Sequence, residues 1–94
     1  MATSYTFYNE SVTLGDTAKR LTTANVVLVG VDIQVQDYAA DIGGRANQGL
    51  ELSSGDILSY GAEIPVKLMD IWAVNHSAGS NATLVISGWI LNDN

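Results

Sequence analysis

The sequence has no cysteine, one proline (Pro65), one histidine (His76) and four basic residues. Without cysteine, no disulfide can staple the chain and no thiolate can serve as nucleophile or zinc ligand. Stability must come from packing or from assembly with other chains. Lys19, Arg20, Arg45 and Lys67 stand against ten acidic residues, for a formal net charge of −6. So few cations cannot form the basic stripe that a phosphate backbone requires, so nucleic acid is not an expected partner. An anionic membrane surface is excluded on the same ground. No apolar run approaches the roughly 20 residues that span a bilayer. The opening MATSYTFYNE lacks the basic start and apolar stretch of a secretion signal, so synthesis in the cytoplasm without a leader is expected.

What is present points to a packed domain. Ninety-four residues, 47% of them hydrophobic, suit one domain over 1–94 with a modest core. Glycines punctuate the chain at intervals that suit many short strands. Tyr5 to Asn9 alternates, and Val12 to Leu14 continues it. Asp16 to Thr22 is ambiguous, with Asp16 a candidate cap for one helical turn. Asn25 to Val29 is an apolar strand, and Gly30 marks a turn or bulge. From Val31 to Gln36, Val31, Ile33 and Val35 face one way and Asp32, Gln34 and Gln36 the other. Residues 37–49 form the longest loop. Leu50–Leu52 and Ile57–Tyr60 flank a hairpin-type turn, SSGD. Val66–Val74 and Ala82–Leu91 are the last strands.

The pattern predicts an all-β fold, an antiparallel β-sandwich or jelly-roll-like barrel of about seven to eight short strands. The apolar strands NVVLV and TLVISGWI carry no positive charge, so either they are internal to a sheet or their edges meet another subunit. A homo-oligomer is expected. The N-terminal residues 1–10 form a candidate strand or arm that contacts a neighbour.

No catalytic constellation emerges. His76 has no GxSxG serine to serve, and Asp70 is too distant along the strand to orient it. A loop-edge histidine in water, or bonded locally, is the reading. Asp32, Asp37 and Asp41 lack the spacing of a calcium loop, so no metal is expected. Gly43-Gly44-Arg45 resembles a short anion nest but matches no nucleotide-loop pattern, so no cofactor is expected. Three matches to the glycosylation pattern (at Asn9, Asn75 and Asn81) read as accidental without a secretion signal. The aromatic residues Tyr5, Phe7, Tyr8, Tyr38, Trp72 and Trp89, with Arg45, are the candidate interface residues. Trp89 falls on the strand face opposite Leu84, Ile86 and Ile90, where a core or subunit-interface role is expected.

Three segments carry a family resemblance: LTTANVVLVGVDIQV, GLELSSGDIL and VKLMDIWAVNHSAGSNATLVISGWI. Together they resemble small all-β proteins encoded in bacteriophage virion-gene clusters. The shared features are alternating apolar strands, a leucine-rich hairpin with Gly55-Asp56 at its turn, and the strand entry Asn81-Ala82-Thr83-Leu84. The resemblance implies a virion structural protein, of the capsid decoration or cement type. Such a protein is made in the host cytoplasm, sits on the outer capsid surface as a dimer or trimer, and binds the major capsid protein without a cofactor. A strand that is basic in some such proteins is Asp32-Ile33-Gln34-Val35 here. The alternative is a tail- or fibre-associated receptor or carbohydrate-binding module using Tyr38, Trp72 and the 37–49 loop.

Overall fold

A computed structural model describes residues 3–61 and 64–93. Two antiparallel sheets pack against each other. The first contains β1 (Thr3–Thr13), β3 (Val27–Gln36), β6 (Ile57–Ser59), β7 (Val66–Lys67) and β9 (Thr83–Asp93). Its order is β1-β9-β3-β6, with β7 against the start of β3. The second contains β2 (Lys19–Arg20), β4 (Ala40–Gly43), β5 (Leu50–Leu52) and β8 (Trp72–Asn75), in the order β2-β8-β4-β5. The all-β sandwich expected from the patterning is the fold that forms.

Period-two alternation explains why the sheets meet as they do. On β3, Val31, Ile33 and Val35 are fully buried, while Asp32 and Gln36 stay exposed. Leu84 and Ile86 on β9 lie directly opposite Val35 and Ile33 and share their inward face. From the second sheet, Ala40, Ile42 and Ala73 complete one core cluster. At Gly30 (φ 61°) the ladder between β3 and β9 shifts register between Val29 and Asp32. The extra residue keeps Leu28 and Val31 both inward, and the positive φ suits glycine.

Several boundaries differ from the sequence expectation, each for a tertiary reason. The last three residues of NVVLV and the following segment are one strand, β3, with a register shift at the Gly30 bulge, while Asn25 and Val26 lie before it. The 37–49 loop hides β4, whose four residues are too few to show a period. The 66–74 strand is broken by a 3-10 turn at Leu68–Asp70 that buries Leu68. Asp16 caps no helix, because the chain there enters β2. SSGD does turn the chain, yet β5 and β6 do not pair with each other. β5 pairs with β4 and β6 with β3, so the turn passes between sheets. It is anchored by Gly55 N–H donating to Val35 C=O at 2.7 Å.

The two apolar strands β3 and β9 are internal to the first sheet. One edge of that sheet is β1, whose 11 residues TSYTFYNESVT contain no lysine or proline. Residues 3–10 of the expected arm thus belong to a strand paired with β9 of the same chain, and residues 1–2 lie outside the described residues.

Candidate functional site

The candidate residues fall into separate groups, sorted by strand register. The first is the long ribbon of β1 and β9, paired from Thr3↔Asp93 to Thr13↔Thr83. Beyond the Val29↔Trp89 pair, β9 has only β1 beside it among the described residues. The ribbon end is amphipathic. Tyr5 lies opposite Leu91 and Phe7 opposite Trp89, so all four project from one face. They are 45–56% exposed, too much for the core role considered for Trp89. The Phe7 and Trp89 rings meet at 5.0 Å between centroids, tilted by 60°. On the other face, Asn92 Nδ2 donates to Thr6 Oγ1 at 2.6 Å. A shallow depression of about 320 Å³ lies among Tyr5, Val29, Gly30 and Trp89, directly over the bulge.

Tyr8 does not join this patch. It points to the core side of β1, half-buried against the hydrophobic cluster, and its hydroxyl donates to the Glu10 carboxylate. Burial first, then the bond to Glu10 and its charge, push the phenol up to about 12, against a weaker opposing bond from Thr22.

The second group surrounds Trp72 on the outer face of the second sheet. Arg20 is its cross-strand partner on β2, and the guanidinium lies 5.5 Å from the ring centroid. Arg45 reaches the same ring at 6.0 Å from the loop after β4. That loop is closed by Gln48 Nε2, which donates to the carbonyls of Gly44 and Arg45 at 2.7 and 3.1 Å. Tyr38 is exposed in the turn before β4. The register Gly43↔Trp72 and Ala40↔Asn75 puts Tyr38 and Trp72 at opposite ends of that strand pair, about 10 Å or more apart.

The third group surrounds His76, read from the sequence as a loop-edge histidine in water or bonded locally, and gives it partners from two other strands. His76 Nδ1 meets Asp41 Oδ1 at 2.9 Å, and Nε2 meets Glu51 Oε2 at 3.5 Å. Asp41 and Glu51 are direct cross-strand partners on β4 and β5, where like charges repel. The imidazole sits between them, and its pKa is raised by the bond to Asp41 first and then by the charges of Glu51 and Asp41. One ligand atom from each of the three groups lies within 4.8 Å of the others, the set that could hold a cation. However, each ring nitrogen already faces its own carboxylate, which is the arrangement of an imidazolium clamp. Asp37 goes elsewhere, accepting from Thr83 Oγ1 at 3.0 Å.

The small-residue loop after β8 is a built turn. Asn75, 7% exposed, donates from Nδ2 to Asn81 Oδ1 (2.8 Å) and Asp16 Oδ1 (3.1 Å). Its Oδ1 accepts from Ala82 N–H at 3.0 Å, and Asp16 also accepts from Gly79 N–H at 2.8 Å. These bonds use the polar groups that a ligand cradle would leave open.

No family model matches the chain, and neither a curated protein nor a solved structure matches it.

Proposed function

We propose that the chain is a structural protein of a bacteriophage virion, a decoration or cement protein that clamps the outer capsid surface. The observation that carries this reading is the amphipathic ribbon end. Tyr5, Phe7, Trp89 and Leu91 form a continuous apolar face on a strand pair that extends past the third strand of its sheet. Four large side chains held half-exposed are an unfavourable surface for a free monomer and a favourable one for a partner. The adjacent outer side of β1 is a sheet edge without lysine or proline to block a partner strand. A shell binder needs such a surface, because repetition over a lattice multiplies modest contacts. The mechanism is burial of the aromatic face at junctions of the major capsid protein, with homo-oligomer contacts adding avidity. It needs no cofactor and no chemistry.

The test is co-sedimentation of the purified chain with shells assembled from bacteriophage major capsid protein. Wild-type protein should pellet at a fixed stoichiometry and raise the temperature at which the shells open. Phe7→Ala with Trp89→Ala should stay in the supernatant. If wild-type protein neither pellets nor protects the shells, the reading fails.

A further inference from the structure

We propose that the flank of the sandwich around Trp72 is a docking site for an extended acidic segment of a partner protein. This rests on observations separate from the aromatic ribbon end, sharing with it only the edge of β1, and holds whether or not the shell reading does.

The first observation is where the positive charge lies. Three of the four basic residues, Lys19, Arg20 and Arg45, lie on β2 or over Trp72. Ten carboxylates are available in the chain, yet among the described residues none lies within salt-bridge distance of these three cations. The second is a groove of about 700 Å³ between β1 and the segment 18–23, with Trp72 in its wall beside Lys19 and Arg20. Glu10 lines it too, but that carboxylate already accepts from the Tyr8 hydroxyl. The third is that β1 and β2 are both edge strands, so the groove is bordered by open backbone edges.

These features select one class of occupant. A guanidinium above an indole spends its flat face on the ring and keeps its N–H groups for a carboxylate. Contact with the half-buried ring restricts two exposed arginines before a ligand arrives, which lowers the entropy lost on binding. An edge strand recruits an extended chain through backbone hydrogen bonds. A nucleic-acid strand would suit the cations and the ring, but a long polyanion would also meet the field of a chain carrying −6. A short carboxylate-bearing segment gains the local attraction and carries less charge into that field.

The probe is a short labelled peptide of alternating glutamate and threonine, followed by fluorescence anisotropy at low salt. It should bind, weaken as salt rises, and shift the emission of Trp72 in a Trp89→Phe background. Arg20→Ala with Arg45→Ala should weaken it by about tenfold or more. Arg20→Lys with Arg45→Lys should retain part of the affinity, and circular dichroism should show both variants folded. Absence of binding, or equal binding by the folded double-alanine variant, overturns the proposal. So does tighter binding of oligothymidylate, which would mark a nucleic-acid site. Self-association of the chain that disappears in the double-alanine variant also overturns it, by naming a second copy as the occupant.

Discussion

Asn75 and Asp16 lie 59 residues apart in sequence, and the Asn75 amide donates to the Asp16 carboxylate at 3.1 Å across the gap between β8 and the β1–β2 connection. Asn75 is the one buried polar side chain among the described residues. It also holds Asn81 and the Ala82 amide, and its own N–H donates to Gly15 C=O at 3.0 Å. One side chain thus joins the first crossover between sheets to the turn that launches β9. Asn75→Ala should destabilise the fold by about 1–3 kcal/mol, because the buried Ala82 N–H loses its acceptor. Urea unfolding with an unchanged m-value would confirm it.

Asp16 gives the same contact a pH signature. Its carboxylate is held below the usual range by the Gly79 N–H first and the Asn75 amide second. A carboxylate with a depressed folded-state pKa contributes stability above its unfolded value of about 3.8. That contribution is lost as pH falls through the lower folded value. Asp16→Asn should therefore flatten the acid limb of the stability curve while leaving its slope above pH 5 unchanged, measured by urea midpoints across pH.

Glycines in the chain should differ sharply in tolerance. A methyl group at Gly43 would sit 2.2 Å from the Asn47 carbonyl oxygen, a backbone atom with little room to yield. At Gly88 it would meet Leu28 and Val31 side chains at 3.3 Å, a tight fit that side chains can partly relieve. At Gly44 it meets nothing within 4 Å. Thermal melts should rank Gly43→Ala as most damaging. Gly88→Ala should be intermediate, at about 1–3 kcal/mol, and Gly44→Ala near neutral.

What the sequence made legible follows from where each signal is encoded. Val31, Ile33 and Val35 alternate with polar neighbours, so the core face of β3 could be read directly, whereas on β9 Val85 stands between Leu84 and Ile86 and both faces read as covered. Gly30 announced its bulge because an extra residue needs a φ that few side chains accept. β4 was illegible because ADIG is too short for a period. The SSGD turn was legible, but its crossing between sheets was not, because turn chemistry is local and strand partners are not. The aromatic residues of the ribbon could be named as interface candidates, while their shared face depended on the register of β1 against β9. The His76 clamp was missed because Asp41 and Glu51 arrive from other strands, 35 residues away in the case of Asp41. No local spacing marks that meeting.

The clamp should make one sheet edge respond to mild acidity. His76 has a raised pKa in the folded state, so its contribution is fully present below the unfolded value of about 6.5. It fades as pH rises through the higher folded value, leaving Asp41 and Glu51 opposed without a cation between them. Amide hydrogen exchange of β5, corrected for intrinsic rate, should be slower below pH 6 than above pH 8. His76→Gln should remove the difference. If exchange in β5 follows the intrinsic rate alone, the clamp does not hold the edge.

Neighbouring residues on β1 should separate folding from binding. Tyr8 faces the core side and Phe7 the opposite side, because successive strand residues alternate. Tyr8 has a folded-state pKa of about 12 against an ordinary 10.0, so its neutral form is favoured by folding. That contribution is present below pH 10 and lost as pH climbs from about 10 to 12. Tyr8→Phe should keep the packing, abolish this alkaline loss, and leave shell co-sedimentation intact. Phe7→Ala removes a ring that is 56% exposed, so its stability cost should stay near or below about 1 kcal/mol. It should nonetheless release the protein from shells. A Phe7→Ala variant that unfolds, or one that still pellets with wild-type stoichiometry, would remove the ribbon face from the proposed mechanism.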